Sequence, residues 1–327
     1  MATLTNIEAV TRTLQEEMRR DPNIFVTGED VGVRGGVFRA TKGLIEEFGD
    51  KRVVDSPLSE LSIVAIGIGA AVYGLHPVCE IQFADYIAPA FNQIVNEAAR
   101  FRYRSNGTWP CPLVIRTPYG GGIGGGLYHS QSIEAYYAHV PGLYVVAPST
   151  PYDVAGMLRY AFQVQDPVIF LEHKKAYRLI KGEVPDEYYT VPFGKADIKR
   201  AGTDVTVVAY GLMMHLCLEA AERVAADGIS VEVVDPRTLN PLDKETLLSS
   251  VKKTGKALIV YEDNFTLGLG AEIAALMAGE AFEYLDAPIM RLAGPDVPAV
   301  PFSQPMQDFF MPNADKIERA IRKLAAY

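Results

Sequence analysis

Cysteine is scarce in this chain, with three in 327 residues, at positions 79, 111 and 217. They are widely spaced, odd in number and set among apolar neighbours. Such a set offers neither a metal-ligand spacing nor a disulfide framework, so they read as reduced core thiols. Long apolar runs are also missing. The longest, from Ile63 to Val72, is interrupted by Gly67 and Gly69 and falls well short of the roughly 20 residues that cross a bilayer. Nor is there a basic block: 31 Lys and Arg against 40 Asp and Glu give a formal net charge of −9. A nucleic-acid backbone would be repelled by that surface, whereas a basic protein partner suits it. No internal repeat or low-complexity tract occurs. The first twenty residues carry Glu8, Glu16 and Glu17, acids that transit peptides avoid. Ile7, Val10, Leu14 and Met18 recur there at helical spacing, so a first helix is expected, and with it a cytoplasmic protein.

What is present is an ordinary globular composition, 49% hydrophobic and 22% charged, enough for a sizeable core and, at this length, for two domains. Short β-branched runs alternate with helical patterns. Strands are expected at Ile24–Thr27, Val78–Phe83, Leu113–Arg116, Leu143–Ala147 and Val168–Leu171, with helices near 6–20, 39–48, 60–74, 84–103 and 151–165. In the stretch 84–103, Ile87, Phe91, Ile94, Ala98 and Phe101 would share one helical face. The alternation implies a doubly wound, mainly parallel α/β sheet. A polar, Pro- and Gly-bearing segment over 178–203 interrupts it. Strands then resume at Val205–Ala209, Val231–Val234, Ala257–Tyr261 and Ile289–Leu292, with helices near 212–227, 243–253, 270–282 and 313–325. The expected division is a domain over 1–185, a linker over 186–202 and a smaller α/β domain over 203–327.

Three places could carry chemistry. In "DSPLSELSIVAIGIGAAVYG", Glu60 opens an apolar, small-residue helix. A carboxylate in a first helical turn complements the helix dipole and needs no further role, but burial in so apolar a setting would be costly without a donor. In "RTPYGGGIGGGLYHSQSIEAYYAHVPG", Gly120, Gly122 and Gly125 match G-x-G-x-x-G formally. Pro118, the lack of a helix opening at Gly125 and the lack of an acid after "LYVVAP" argue against a dinucleotide site. The glycines read instead as a mobile or closely approached loop ending in His129, a structural or a catalytic histidine. His139 sits among apolar residues that favour packing. In "CEIQFADYIAPAFNQ", Gln82 and Tyr86 bracket a strand-to-helix junction, where open α/β sheets contact ligands; an amphipathic core role for Tyr86 is equally open.

Taken together, "TGEDVGVRGGVFRATKGL", "VVDSPLSELSIVAIGIGAAVYGLHPVCEIQFADYIAPAFNQIVNEAARFRYRS", "GGGLYHSQSIEAYYAHVPGLYVVAPSTPYD", "DPVIFLEHKKAYR", "VVDPRTLNPLD", "SVKKTGKALIVYED" and "GLGAEI" resemble the β subunits of heterotetrameric, decarboxylating 2-oxo acid dehydrogenases. The resemblance is collinear over essentially the whole chain. It implies a pyrimidine-type thiamine-diphosphate-binding domain followed by a transketolase C-terminal-like domain. It also implies an α subunit in an α2β2 assembly, which holds the diphosphate and Mg2+ through a Gly-Asp-Gly to Asn motif not found here. Glu60 would be the carboxylate that shares a proton with the cofactor's pyrimidine ring nitrogen. Leu58, Gln82 and Tyr86 would line that pocket. His129 would exchange a proton while the acyl group passes to lipoyl-lysine on a dihydrolipoyl acyltransferase core, whose basic subunit-binding domain would dock on the C-terminal domain.

Some members of this family bind potassium near positions matching Leu113, Ala161, Val164 and Asp166. Here Val164 replaces a frequent acid and Asp166 a usual asparagine. "LYHSQSIEAYYAH" and "EIQFADYIAPAFNQ" are similar to branched-chain 2-oxoisovalerate enzymes, although pyruvate and acetoin enzymes share "HSQS". A non-catalytic scaffold that kept the fold remains the alternative of a different class, disfavoured by the presence of Glu60, Tyr86 and His129.

Overall fold

The computed structural model describes all residues, Met1–Tyr327. The chain divides into two compact units. The first comprises Met1–Tyr119 and Tyr136–Phe193, the second Gly120–Ala135 and Gly194–Tyr327. The division after Phe193 falls inside the expected linker. The assignment of residues 120–135 to the second unit was not legible in the sequence.

In the first unit the strands are β1 (Ala2–Thr5), β2 (Ile24–Gly28), β3 (Val53–Asp55), β4 (His76–Glu80), β5 (Val114–Tyr119), β6 (Tyr144–Val146), β7 (Val168–His173) and β8 (Lys181–Val184). Side by side in the order β6, β7, β5, β4, β2, β3, six of them pair in parallel. All six residues of β5 and of β7 are buried, as expected for strands covered on both faces. Strands β1 and β8 form a separate antiparallel pair.

The first unit also carries α1 (Asn6–Arg20), α2 (Leu44–Phe48), α3 (Glu60–Val72), α4 (Phe101–Arg104), α6 (Pro151–Ala161) and α7 (Ala176–Leu179), while the short α5 (Glu134–Ala138) begins with two residues of the second unit and ends in the first. Helix α1 starts where the sequence indicates because Thr5 and Glu8 form a capping box, and its Val10, Leu14 and Met18 are fully buried.

The expected single helix over 84–103 is a correction. The segment is built from 3-10 turns at Ala84–Tyr86, Ala88–Ala90 and Ala98–Arg100, a π-turn at Gln93–Glu97, and α4. Pro89 cannot donate within a continuous helix, and the extra residue of the π-turn rotates the face. Ile87, Ile94 and Ala98 stay buried, but Phe91 is 42% exposed.

The second unit carries β9 (Asp197–Arg200), β10 (Val205–Ala209), β11 (Val231–Asp235), β12 (Thr238–Asn240), β13 (Ala257–Asn264) and β14 (Met290–Gly294). Its sheet runs β14, β13, β10, β11, β9, parallel except for the edge strand β9. Strands β8 and β9 lie in the stretch read as irregular, since neither shows an apolar alternation. Helices α8 (Leu212–Ala225), α9 (Lys244–Thr254), α10 (Leu269–Glu280), α11 (Gln304–Phe310) and α12 (Ala314–Ala325) complete the unit.

Cys79, Cys111 and Cys217 are free and buried, as expected. Burial pushes the Cys111 thiol up to about 12 and the other two higher, so all three are inert at neutral pH. No helix is long and apolar enough to cross a membrane.

Candidate active site

Helix α3 begins at Glu60, with Ser59 as N-cap accepting from the Ser62 N–H. The helix follows the loop after β3 and packs on β4 and β2, so its first turn stands beside the carboxyl ends of those strands. Beyond β2 and β4 come Glu29 and Gln82, joined where the Gln82 amide donates to the Glu29 carbonyl at 3.3 Å. Burial, then Asp30, then Glu60 raise the Glu29 carboxyl above its ordinary range, placing three acids within each other's fields.

Glu60 is half-buried and makes no hydrogen bond or ion pair within the chain. Leu58 beside it is 73% exposed and Leu61 44% exposed. A partly desolvated carboxylate without a donor, flanked by exposed leucines, is suited to receiving a ligand with an apolar ring and a hydrogen-bonding edge.

Tyr86 ends the 3-10 turn that follows Gln82, edge-on to Phe83 with ring centroids 6.0 Å apart. The turn is fastened by Asp85, whose carboxylate lies 3.8 Å from the Lys174 ammonium; both side chains are fully buried. Lys174 also sits over the Phe83 ring at 5.7 Å. Leu58, Glu60, Gln82 and Tyr86 therefore all lie in the first unit, Glu60 and Gln82 both beside Glu29.

His129 belongs to the second unit, half-buried directly after the 3-10 turn Gly126–Tyr128. The glycine run before it is held closely: Gly121 N–H donates to Glu262 at 2.8 Å, and Gly124 N–H to Gln307 at 3.1 Å. At Gly126 (φ +60°) a Cβ would stand 2.4 Å from the Phe302 ring. This is a closely approached loop, the second of the two expectations for it. His139 is exposed, which corrects its packing role. It follows the short α5, while Tyr137 and Val140 near it in sequence are buried.

Leu113 and Ala161 are buried, and the Leu113 carbonyl accepts the Val168 N–H at 2.8 Å. Asp166 pairs with Arg102 at 2.6 Å. A cation among Leu113, Ala161, Val164 and Asp166 would compete with that guanidinium, so the carboxylate is poorly suited to it and backbone carbonyls would have to supply the ligands.

Two constellations escaped the sequence reading. In the first unit, Arg116 on β5 is 1% exposed. It donates through Nε and Nη2 to Glu172 on β7 at 2.6 and 2.8 Å, and through Nη1 to Glu80 on β4 at 2.8 Å. The Tyr177 hydroxyl donates to the same Glu172 carboxylate. Burial raises the Glu80 carboxyl, against the pull of Arg116. The signal was available, since one charge interrupts each of three neighbouring apolar strands, but their adjacency depends on strand order. The other constellation, in the second unit, gathers Glu134, Tyr210, Glu262 and Asp263.

Residues 2–180 match the transketolase pyrimidine-binding domain model, and residues 194–317 the transketolase C-terminal domain model. The chain is 55% identical to the 2-oxoisovalerate dehydrogenase subunit beta of Bacillus subtilis, with all of both chains covered. The chain belongs to the β-subunit family of the 2-oxo acid dehydrogenases. It is also 46% identical to the pyruvate dehydrogenase E1 component subunit beta of the same organism, again over the full length of both. Among solved structures, a split-gene transketolase described as an inactive beta4 tetramer superposes with a TM-score of 0.80 over 99% of this chain and 98% of that one. At 23% identity it bears on the fold alone. The expected fold, a pyrimidine-type domain followed by a transketolase C-terminal domain, is thereby met. So is the expected β-subunit function, with pyruvate dehydrogenase as the alternative within the family.

Proposed function

We propose that this chain forms the pyrimidine-binding half of a thiamine-diphosphate site completed by an α subunit, and that the assembled enzyme decarboxylates branched-chain 2-oxo acids. The observation that carries the reading is Glu60: a half-buried carboxylate with no internal donor, beside Glu29 and Gln82 at the carboxyl end of a parallel sheet.

Glu60 would hold a proton against the cofactor's ring nitrogen, a charge-assisted bond worth about 1.5–3 kcal/mol in a dry site. Leu58 would cover the ring, with Gln82 and Tyr86 along its edge and face. The bound cofactor supplies an electron sink for the loss of carbon dioxide. His129 would exchange a proton as the acyl group leaves for lipoyl-lysine on the acyltransferase core. The diphosphate and Mg2+ would belong to the α subunit. A potassium ion near Leu113, Ala161, Val164 and Asp166 remains part of the proposal only through carbonyl ligands. The cytoplasm is the proposed location.

Preference for branched substrates rests on the greater identity to the 2-oxoisovalerate relative than to the pyruvate relative. Apolar pockets separate substrates differing by single methylenes by only about 1–3 kcal/mol, so the expected preference is roughly 10- to 200-fold. Reconstitution with a cognate α chain, followed by kcat/KM on 2-oxoisovalerate, pyruvate and acetoin, tests this. A higher value on pyruvate or acetoin would overturn the substrate assignment. Cofactor binding without decarboxylation of any of them would favour the scaffold.

A further inference from the structure

The segment 120–135 lies in sequence within the pyrimidine-binding match but packs with the second unit. Three hydrogen bonds tie it there. Gly121 N–H donates to Glu262 at 2.8 Å and Gly124 N–H to Gln307 at 3.1 Å. At the far end of the segment, the Tyr210 hydroxyl donates to Glu134 at 2.7 Å. Glu134 is 0% exposed, and its second oxygen, Oε2, has no hydrogen-bond partner. The groups facing it are Tyr210, from the turn after β10, and Tyr261, Glu262 and Asp263 at the end of β13. Arg291 on β14 reaches the cluster from the far side of Tyr261, donating to its hydroxyl at 3.2 Å. Asp263 is itself engaged by the backbone N–H groups of Asn264 and Ala135.

We propose that Glu134 is a positioning residue: bonded to Tyr210 and packed against the acids at the end of β13, it holds the segment carrying His129 in its closed arrangement. The inference rests on the role given above to His129.

Its physical basis is the protonation state of a buried carboxyl. Burial first, then Asp263, push Glu134 up to about 8, so that at neutral pH it is a neutral acid that the neighbouring carboxylates tolerate. Burial likewise lifts Asp263, to about 6. Opening of the segment returns Glu134 to water and to the ordinary value of 4.5. A carboxyl raised by closure favours the closed form fully below its ordinary value and loses that contribution as pH climbs through the raised value. Opening should therefore become up to ~tenfold easier per pH unit towards 8 and level off above it. Asp263, at about 6, is half ionised there and largely ionised by about pH 7, which leaves the window from about 7 to 8 to Glu134.

Hydrogen exchange of the Gly121 and Gly124 amides in the full chain, expressed as protection over the intrinsic rate, reads the opening directly. In the unsubstituted chain, protection is expected to fall up to ~tenfold per pH unit between about 7 and 8. Glu134→Gln, neutral and nearly isosteric, should flatten that slope. Tyr210→Phe, which removes the donor, should lower protection at every pH. An unchanged slope in Glu134→Gln, or unchanged protection in Tyr210→Phe, would overturn the inference. In the reconstituted complex, the alkaline fall of lipoyl acylation should move to higher pH in Glu134→Gln; an unmoved limb also counts against it. Failure of the His129 role is read separately: His129→Ala would then acylate lipoyl-lysine at full rate while the exchange results stand.

Discussion

Glu60 and Arg116 are both charged residues set among apolar neighbours, and they differ in what meets the charge. Arg116 is enclosed by two carboxylates and a phenol, whereas Glu60 is met by nothing in its own chain. A charge satisfied internally serves the fold, and one left without a donor is available to a ligand. Arg116→Met should strand Glu80 and Glu172 in the interior and cost about 3–5 kcal/mol of unfolding free energy, measured in urea. A loss under 1 kcal/mol would mean that water or a rearranged neighbour replaces the guanidinium. Glu60→Gln should leave that unfolding free energy within about 0.5 kcal/mol, since the site is partly open. In the reconstituted complex it should slow exchange of the cofactor's acidic carbon proton into deuterated solvent at least tenfold. Unaltered exchange would remove Glu60 from its role.

At the scale of elements, the loops after the parallel strands decide where these side chains stand. The loop after β2 crosses the Glu80 carboxylate so closely that a Cβ on Gly36 (φ +78°) would lie 2.8 Å from its Oε1, while the other oxygen, Oε2, accepts from Arg116. Gly43, in the same segment at φ +87°, faces open space. Gly43→Ala should cost only backbone strain, about 1–2 kcal/mol. Gly36→Ala should cost clearly more, because it also displaces a buried ion pair. Equal midpoint shifts for the two in thermal unfolding would show that Glu80 yields freely.

The elements themselves were largely legible. Helix α1 carries a capping box, β10 an unbroken β-branched run, and α12 a clean amphipathic period. What failed was 84–103, where the apolar spacing fitted a helix but Pro89 and the π-turn divide it. Also missed were the short strands β1, β3, β8, β9 and β12, too brief to show a period. Pairing with a partner strand defines such elements, and the partner lies far along the chain.

For the molecule as a whole, reconstitution with an α chain is the decisive experiment, because the proposed site draws an acid, an amide, a leucine and one aromatic ring from this chain, which carries no diphosphate motif. The sequence by itself determined the two α/β units, the reduced buried thiols, the family, and the residue types at the candidate site. These follow from local composition and order, which a linear string carries in full. Only the tertiary structure decided that residues 120–135 pack with the second unit and that Glu80, Arg116 and Glu172 form one buried network. It also decided that Glu134 meets Tyr210 and the acids of β13. Each of these joins residues distant in the chain, and their energies arise from burial and from charges brought within a few ångströms, quantities that exist only once the strands have taken their order.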